Sequence, residues 1–138
     1  MDIAVNYLAV VAAAVASMAI GAAWYSPLLF GKEWMRLSGM SPEFIEGVKA
    51  KGTWKMYGVG FIGALVMAFV LAHLVFLMEA TTLNDALDLG FWLWLGFIAP
   101  VQLGVVLWEG KSWKLYLINT SYYLVSLPAM ASILALWV

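Results

Sequence analysis

The residues that could do chemistry are few and uncharged. Tyr25, Ser26, Gln102, Asn119, Tyr122 and Tyr123 are hydroxyl, phenol and amide side chains set within long apolar stretches. At a helical rise of about 1.5 Å per residue, Gln102 lies roughly 9 Å in from the end of its stretch. Asn119, Thr120, Tyr122 and Tyr123 lie one to two turns in from the same side, and Tyr25, Ser26 and Tyr57 join them there. Such a group can line a cavity for a polar or amphipathic ligand. It serves equally as interhelical hydrogen bonding beside an aromatic belt, the commoner use, and none of its members is ionised at pH 7. The lone histidine, His73, sits toward the other side, five positions before the end of its run, where it can relay a proton or simply hydrogen-bond a neighbour. Glu79, Asp85 and Asp88 can together attract a cation; the simpler role for Asp85 and Asp88 is at the positive end of the helix that follows.

The missing residues exclude more. With no cysteine and one histidine, thiolate metal sites, iron–sulfur clusters and multi-histidine zinc sites are ruled out within one chain. No cofactor or metal site is expected. There is no Ser/His/Asp arrangement, no phosphate-binding glycine loop and no His/Glu metal helix, so the chain reads as a non-enzyme. A net charge of −1 leaves no electrostatic footprint for nucleic acid.

The elements that must position these residues are membrane spans. Hydrophobic residues make up 65% of the 138 and charged ones 11%, far from the soluble norm. Four runs, 3–31, 56–78, 89–108 and 115–138, carry no charge and hold 29, 23, 20 and 24 residues, each enough to cross a bilayer as a helix. The fold class is therefore an all-α, four-helix transmembrane domain over 1–138, with spans at about 3–30, 56–78, 89–108 and 115–137. The first run is too long for a signal core and no base precedes it, so no cleaved signal peptide is expected.

Loop charge sets the orientation. Segment 32–55 holds Lys32, Arg36, Lys49, Lys51 and Lys55; segment 79–88 holds acids alone; segment 109–114 holds Lys111 and Lys114. The alternation puts the basic loops 32–55 and 109–114 in the cytoplasm and both termini on the opposite side of a cell membrane. Tryptophans 34, 54, 108 and 113 flank the basic loops, as an interfacial belt does. In the first loop, Ser41-Pro42-Glu43 is a helix start, and Phe44, Ile45 and Val48 can form the apolar face of a short surface helix.

Two pairs of short matches bear on the origin of the four spans. Gly31-Lys32-Glu33-Trp34 resembles Gly110-Lys111-Ser112-Trp113, and Thr53-Trp54-Lys55-Met56-Tyr57 resembles Ser112-Trp113-Lys114-Leu115-Tyr116. Two repeated helical hairpins would explain them; so would the shared chemistry of two membrane interfaces. Small-residue ladders, Ala9/Ala13/Ser17/Gly21 and Gly60/Ala64/Ala68/Ala72, allow the first two spans to pack closely or to meet a second chain. Pro100 and Pro128 interrupt the third and fourth spans and free the carbonyls of Gly96 and Leu124.

The strings Trp24-Tyr25-Ser26-Pro27-Leu28-Leu29-Phe30-Gly31-Lys32-Glu33-Trp34, Trp94-Leu95-Gly96-Phe97, Leu107-Trp108-Glu109-Gly110-Lys111 and Leu117-Ile118-Asn119-Thr120-Ser121-Tyr122 resemble the bacterial membrane proteins catalogued as domain of unknown function 1761. Ser121 stands where that family often has glycine. The resemblance covers nearly the whole chain and implies a small four-helix inner-membrane protein; it implies no activity and no site residues. The expected function is a structural or interaction component that packs with itself, as a homo-oligomer, or with a membrane protein partner in the lipid bilayer. The alternative is a small oligomeric transporter or ligand-binding protein using the polar group above.

Overall fold

The computed structural model describes residues 4–39 and 42–137, and of Pro42, Ile45 and Val48 the backbone alone. It is all helical. Helices α1 (Tyr7–Trp24), α4 (Trp54–Leu77) and α7 (Trp113–Leu136) are long and unbroken. Between α1 and α4 lie two short helices, α2 (Gly31–Ser38) and α3 (Pro42–Ala50). The third span is α5 (Leu83–Phe97), a 3-10 turn (Val101–Leu103) and the single turn α6 (Gly104–Leu107). Four segments, Tyr7–Trp24, Trp54–Leu77, Leu83–Leu107 and Trp113–Leu136, are long and apolar enough to span a membrane, and the chain is a multi-pass membrane protein. The helix start expected at Ser41 and part of the apolar face expected from Ile45 and Val48 lie outside the described residues and side chains.

The ends are written in the sequence. Asn6 caps α1 by accepting the Ala9 N–H at 3.2 Å, and Ser112 caps α7 by accepting the Leu115 N–H at 3.1 Å. Thr82 and Asp85 form a reciprocal capping box at the start of α5, so the acid satisfies backbone donors at the positive end of the dipole. At the end of α4, Glu79 takes a left-handed conformation (φ 53°). The Ala80 and Glu79 N–H groups then return to the Val75 and Phe76 carbonyls at 3.0 and 3.1 Å, a Schellman closure made without its usual glycine.

The first span's helix stops at Trp24 rather than running on to residue 30. Pro27 has no N–H to continue it. The chain folds over instead: the Phe30 N–H reaches the Trp24 carbonyl at 3.0 Å and the Gly31 N–H reaches Ser26 at 2.9 Å. Gly31 is needed for this, because a Cβ there would lie 2.4 Å from the Tyr25 carbonyl oxygen. The Tyr-Ser-Pro…Gly string thus encodes a reversal that starts α2.

At the centre of the bundle is α7, which packs on α5, α1 and α4, while α1 also packs on α4. Burial follows: 39% of the fourth span's apolar window is buried, against 6% of the third's. The core is Val10 and Ala13 from α1, Leu71 and Val75 from α4, and Leu127 and Met130 from α7, among others. The ladder on α1 divides between neighbours, since Ser17 and Gly21 face Tyr122 of α7 whereas Ala13 joins the core cluster with Ala68 of α4. Against α5 the fit is closest at Gly90, where a Cβ would lie 2.6 Å from Pro128 Cα. Gly90→Val should therefore destabilise the bundle by about 1–3 kcal/mol in reversible unfolding. Gly63→Ala, whose Cβ meets nothing within 4 Å, should change stability by less than about 0.5 kcal/mol.

Candidate functional site

Polar contacts run the length of the seam between α1 and α7. Near its middle, the Tyr122 hydroxyl donates to the Ser17 carbonyl at 2.8 Å. With that proton spent, the 3.0 Å contact between Ser17 Oγ and Tyr122 Oη is donated by Ser17. Ser17 in turn accepts from Ser126 Oγ at 3.1 Å. The three hydroxyls form a directed chain, and Ser17 and Ser126 are buried. Gly21 makes room for it, since a Cβ there would come within 3.3 Å of the Tyr122 hydroxyl.

One turn toward the basic loops, the Tyr25 hydroxyl donates to Asn119 Oδ1 at 2.8 Å and Trp24 Nε1 to the Ile118 carbonyl at 3.0 Å. The Tyr25 ring packs against Tyr122 and against the edge of Trp34, both at 5.7 Å, and Tyr123 packs on Tyr122 at 4.8 Å. Of the residues expected to cluster, Tyr25, Asn119, Tyr122 and Tyr123 come together. Ser26 does not join them: its hydroxyl donates to the Ala23 carbonyl at 2.7 Å, closing the end of α1. Gln102 lies in the 3-10 turn of the third span, and its side chain makes no hydrogen bond among the described residues. His73 Nδ1 is 2.8 Å from the Phe69 carbonyl, which fixes Nδ1 as the protonated nitrogen, and its ring stands edge-on to Phe69.

Sequence reading missed Ser17, Ser126, Trp24, Trp94 and Tyr116. The signal for Tyr116 was Pro100, which ends α5 and leaves carbonyls in need of a donor. The Tyr116 hydroxyl donates to the Ala99 carbonyl at 2.7 Å, and Trp94 Nε1 donates to the Thr120 carbonyl at the same distance. The break is thus braced on the α7 side. Elsewhere it is not: the Ile98 and Ala99 N–H groups both turn to the Trp94 carbonyl, and Pro100 has no N–H. Both N–H groups within reach of the Leu95 carbonyl are spent on Trp94, and among the described residues it has no donor. It sits near the midpoint of a 25-residue span, where an unsatisfied carbonyl facing lipid costs several kcal/mol.

At the basic end Glu33 of α2 bridges Arg36 at 2.7 Å and Lys114 of α7 at 2.8 Å. Lys111 donates to the Ser38 carbonyl at 3.2 Å. Hydrogen bonds from Arg36 and then Lys114 hold the Glu33 carboxyl down to about 2. At the other end Asn6 Nδ2 is 3.5 Å from the Trp137 carbonyl. A cleft of about 800 Å³ opens there between the start of α1 and the ends of α4 and α7, edged by Asn6, Glu79 and Trp137. It lies at the opposite end of α1 from Tyr25. Among the described residues no group of three His, Cys, Asp or Glu side chains is placed to hold a metal, and no buried side-chain nitrogen or oxygen lacks a partner.

A family model described as "Protein of unknown function (DUF1761)" matches residues 8–135. The chain belongs to this family. The match runs from the first turn of α1 to the last turn of α7, so the hydrogen-bonded seam and the break in the third span both lie inside it. No curated protein and no solved structure matches the chain.

Two tests follow. Tyr122→Phe should cost about 0.6–1.7 kcal/mol of bundle stability, the range for interhelical hydrogen bonds in membranes. Ser17→Ala should cost a similar amount and the double variant less than their sum, because both remove one network. For Glu33 the folded value is depressed, so its bridge contributes fully above the ordinary carboxylate value of about 4.3 and is lost as pH falls through about 2. Trp34 fluorescence should stay constant from pH 7 to 5 and change only in more acid solution, and Glu33→Gln should abolish that change.

Proposed function

We propose that this protein is a non-catalytic component of a membrane assembly, a compact helical unit whose work is to pack with other chains. The observation that carries the reading is how the polar groups are used. Ser17, Tyr25, Tyr122 and Ser126 spend their hydroxyl protons on one another, on Asn119 Oδ1 or on backbone, so most of the seam's polar groups already have partners within the chain. An unmatched backbone carbonyl lies instead along a third span that the chain itself barely covers.

The orientation that suits this reading has the basic loops 32–55 and 109–114, and α3 with them, on the cytoplasmic side of a bacterial inner membrane, with the termini opposite. The salt-bridged end formed by Glu33, Arg36 and Lys114 would then meet the headgroups. A two-hairpin origin is supported by α4 and α7, both of which begin at tryptophan and hold 24 residues. Any such symmetry has since been lost in packing, because a twofold relation would pair α4 with α5 as it pairs α1 with α7, and α4 and α5 are not a packed pair.

The ligand-binding reading rests on Tyr25, Asn119, Tyr122 and Tyr123 meeting at one depth. The Tyr25 and Tyr122 hydroxyl protons are already spent within the seam, so it is the weaker of the two. The deciding experiment is the mass of the particle released from membranes in native lipid discs. More than one chain, of this protein or with a protein partner in fixed ratio, is the expected result; a single chain without a protein partner would overturn the assembly reading.

A further inference from the structure

The outer face of the third span carries hydrogen-bond acceptors and donors that its own chain does not match. α5 turns Leu89, Leu93, Trp94 and Ile98 toward the core, which leaves Trp92, Leu95 and Gly96 on the opposite side at one-turn spacing. Trp92 is 65% exposed and Leu95 is 43% exposed, and a Cβ on Gly96 would meet nothing within 4 Å. The break at Pro100 leaves the Leu95 carbonyl without a donor among the described residues, since the Ile98 and Ala99 N–H groups both go to Trp94. Lipid tails have none to offer. The Trp92 indole N–H, one turn before Leu95, and the Gln102 amide, in the 3-10 turn beyond the break, likewise make no hydrogen bond among the described residues.

Unmatched acceptors and unmatched donors on one surface make that surface complementary to itself, which an isologous contact between two copies requires. Glycine at its centre lets two backbones approach closely. We infer that a second copy of this chain covers the break in the third span, α5 against α5 about an axis along the membrane normal. The donors of each copy, Trp92 Nε1 and Gln102 Nε2, serve the unpaired Leu95 carbonyl of the other. Asp88, one turn before Trp92, places like charges at the far end of the contact, so the closest approach falls at Gly96. This rests on the assembly reading above and names its partner.

The chain has no cysteine of its own, so single-cysteine variants report contacts cleanly in native membranes. Under mild oxidation Leu95→Cys should convert most of the protein to disulfide-linked dimer. Val66→Cys, at a position more exposed than Leu95 but on α4, should stay monomeric. Gly96→Leu places its Cβ where its own chain has nothing within 4 Å, so it should preserve the single-chain fold while shifting particles in lipid discs from dimer to monomer. A dimer linked through Val66→Cys and not Leu95→Cys would overturn the α5 contact and leave the assembly reading standing. A different protein held against α5 would overturn the second copy in the same way. A strict monomer in which Leu95→Cys reacts with a water-soluble maleimide would show that water covers the break, and would overturn both.

Discussion

A backbone carbonyl or hydroxyl in a bilayer must find its partner within protein, and this bundle is arranged around that constraint more than around burial of apolar surface. Its answer is α7. The helix lends its backbone carbonyls at Ile118 and Thr120 to the indoles of Trp24 and Trp94. It sends Tyr116 to the carbonyl that the third span's break sets free, and Tyr122 to α1. Two of these contacts tie α1 to the rod and two tie the third span to it. Close packing then follows the same lines, with Gly21 yielding to Tyr122 and Gly90 to Pro128.

The two prolines show how context decides what a helix breaker does. Pro128 remains within an unbroken α7, seated against Gly90. Pro100 ends α5 outright and hands the chain to a 3-10 turn. The fourth span is supported on several sides, while the third has support on one. A break in a supported helix is absorbed as a kink; in an unsupported one it opens, and part of its backbone is left facing outward.

Much of the fold was legible in sequence because lipid imposes a coarse requirement, length without charge, and the four uncharged runs meet it. The acid at the positive end of α5 was legible too, at Asp85, whereas the Ser112 cap of α7 was not singled out. The end of the first helix was not. Hydropathy continues to Phe30, but Pro27 and the contact that only Gly31 permits turn the chain at Trp24. Of the expected polar cluster, depth alone brought Tyr25, Asn119, Tyr122 and Tyr123 together correctly. Depth says nothing about azimuth, and so Ser26 and Gln102 were grouped with residues to which they make no hydrogen bond. Ser17 was read as a small side chain in a ladder, when its hydroxyl is the node of the network; no spacing rule distinguishes those roles without knowing which helix lies opposite.

The account stands on α7 being the helix that all the others share. A map of intramolecular disulfides, built from paired cysteines in this cysteine-free chain, tests that directly. Pairs joining α7 to α1, to α4 and to α5 should all close rapidly in membranes, Ser17→Cys with Ser126→Cys among them, and pairs joining α4 to α5 should not. Rapid closure between α4 and α5, with α7 failing against any one of its three neighbours, would contradict the arrangement from which the rest is argued.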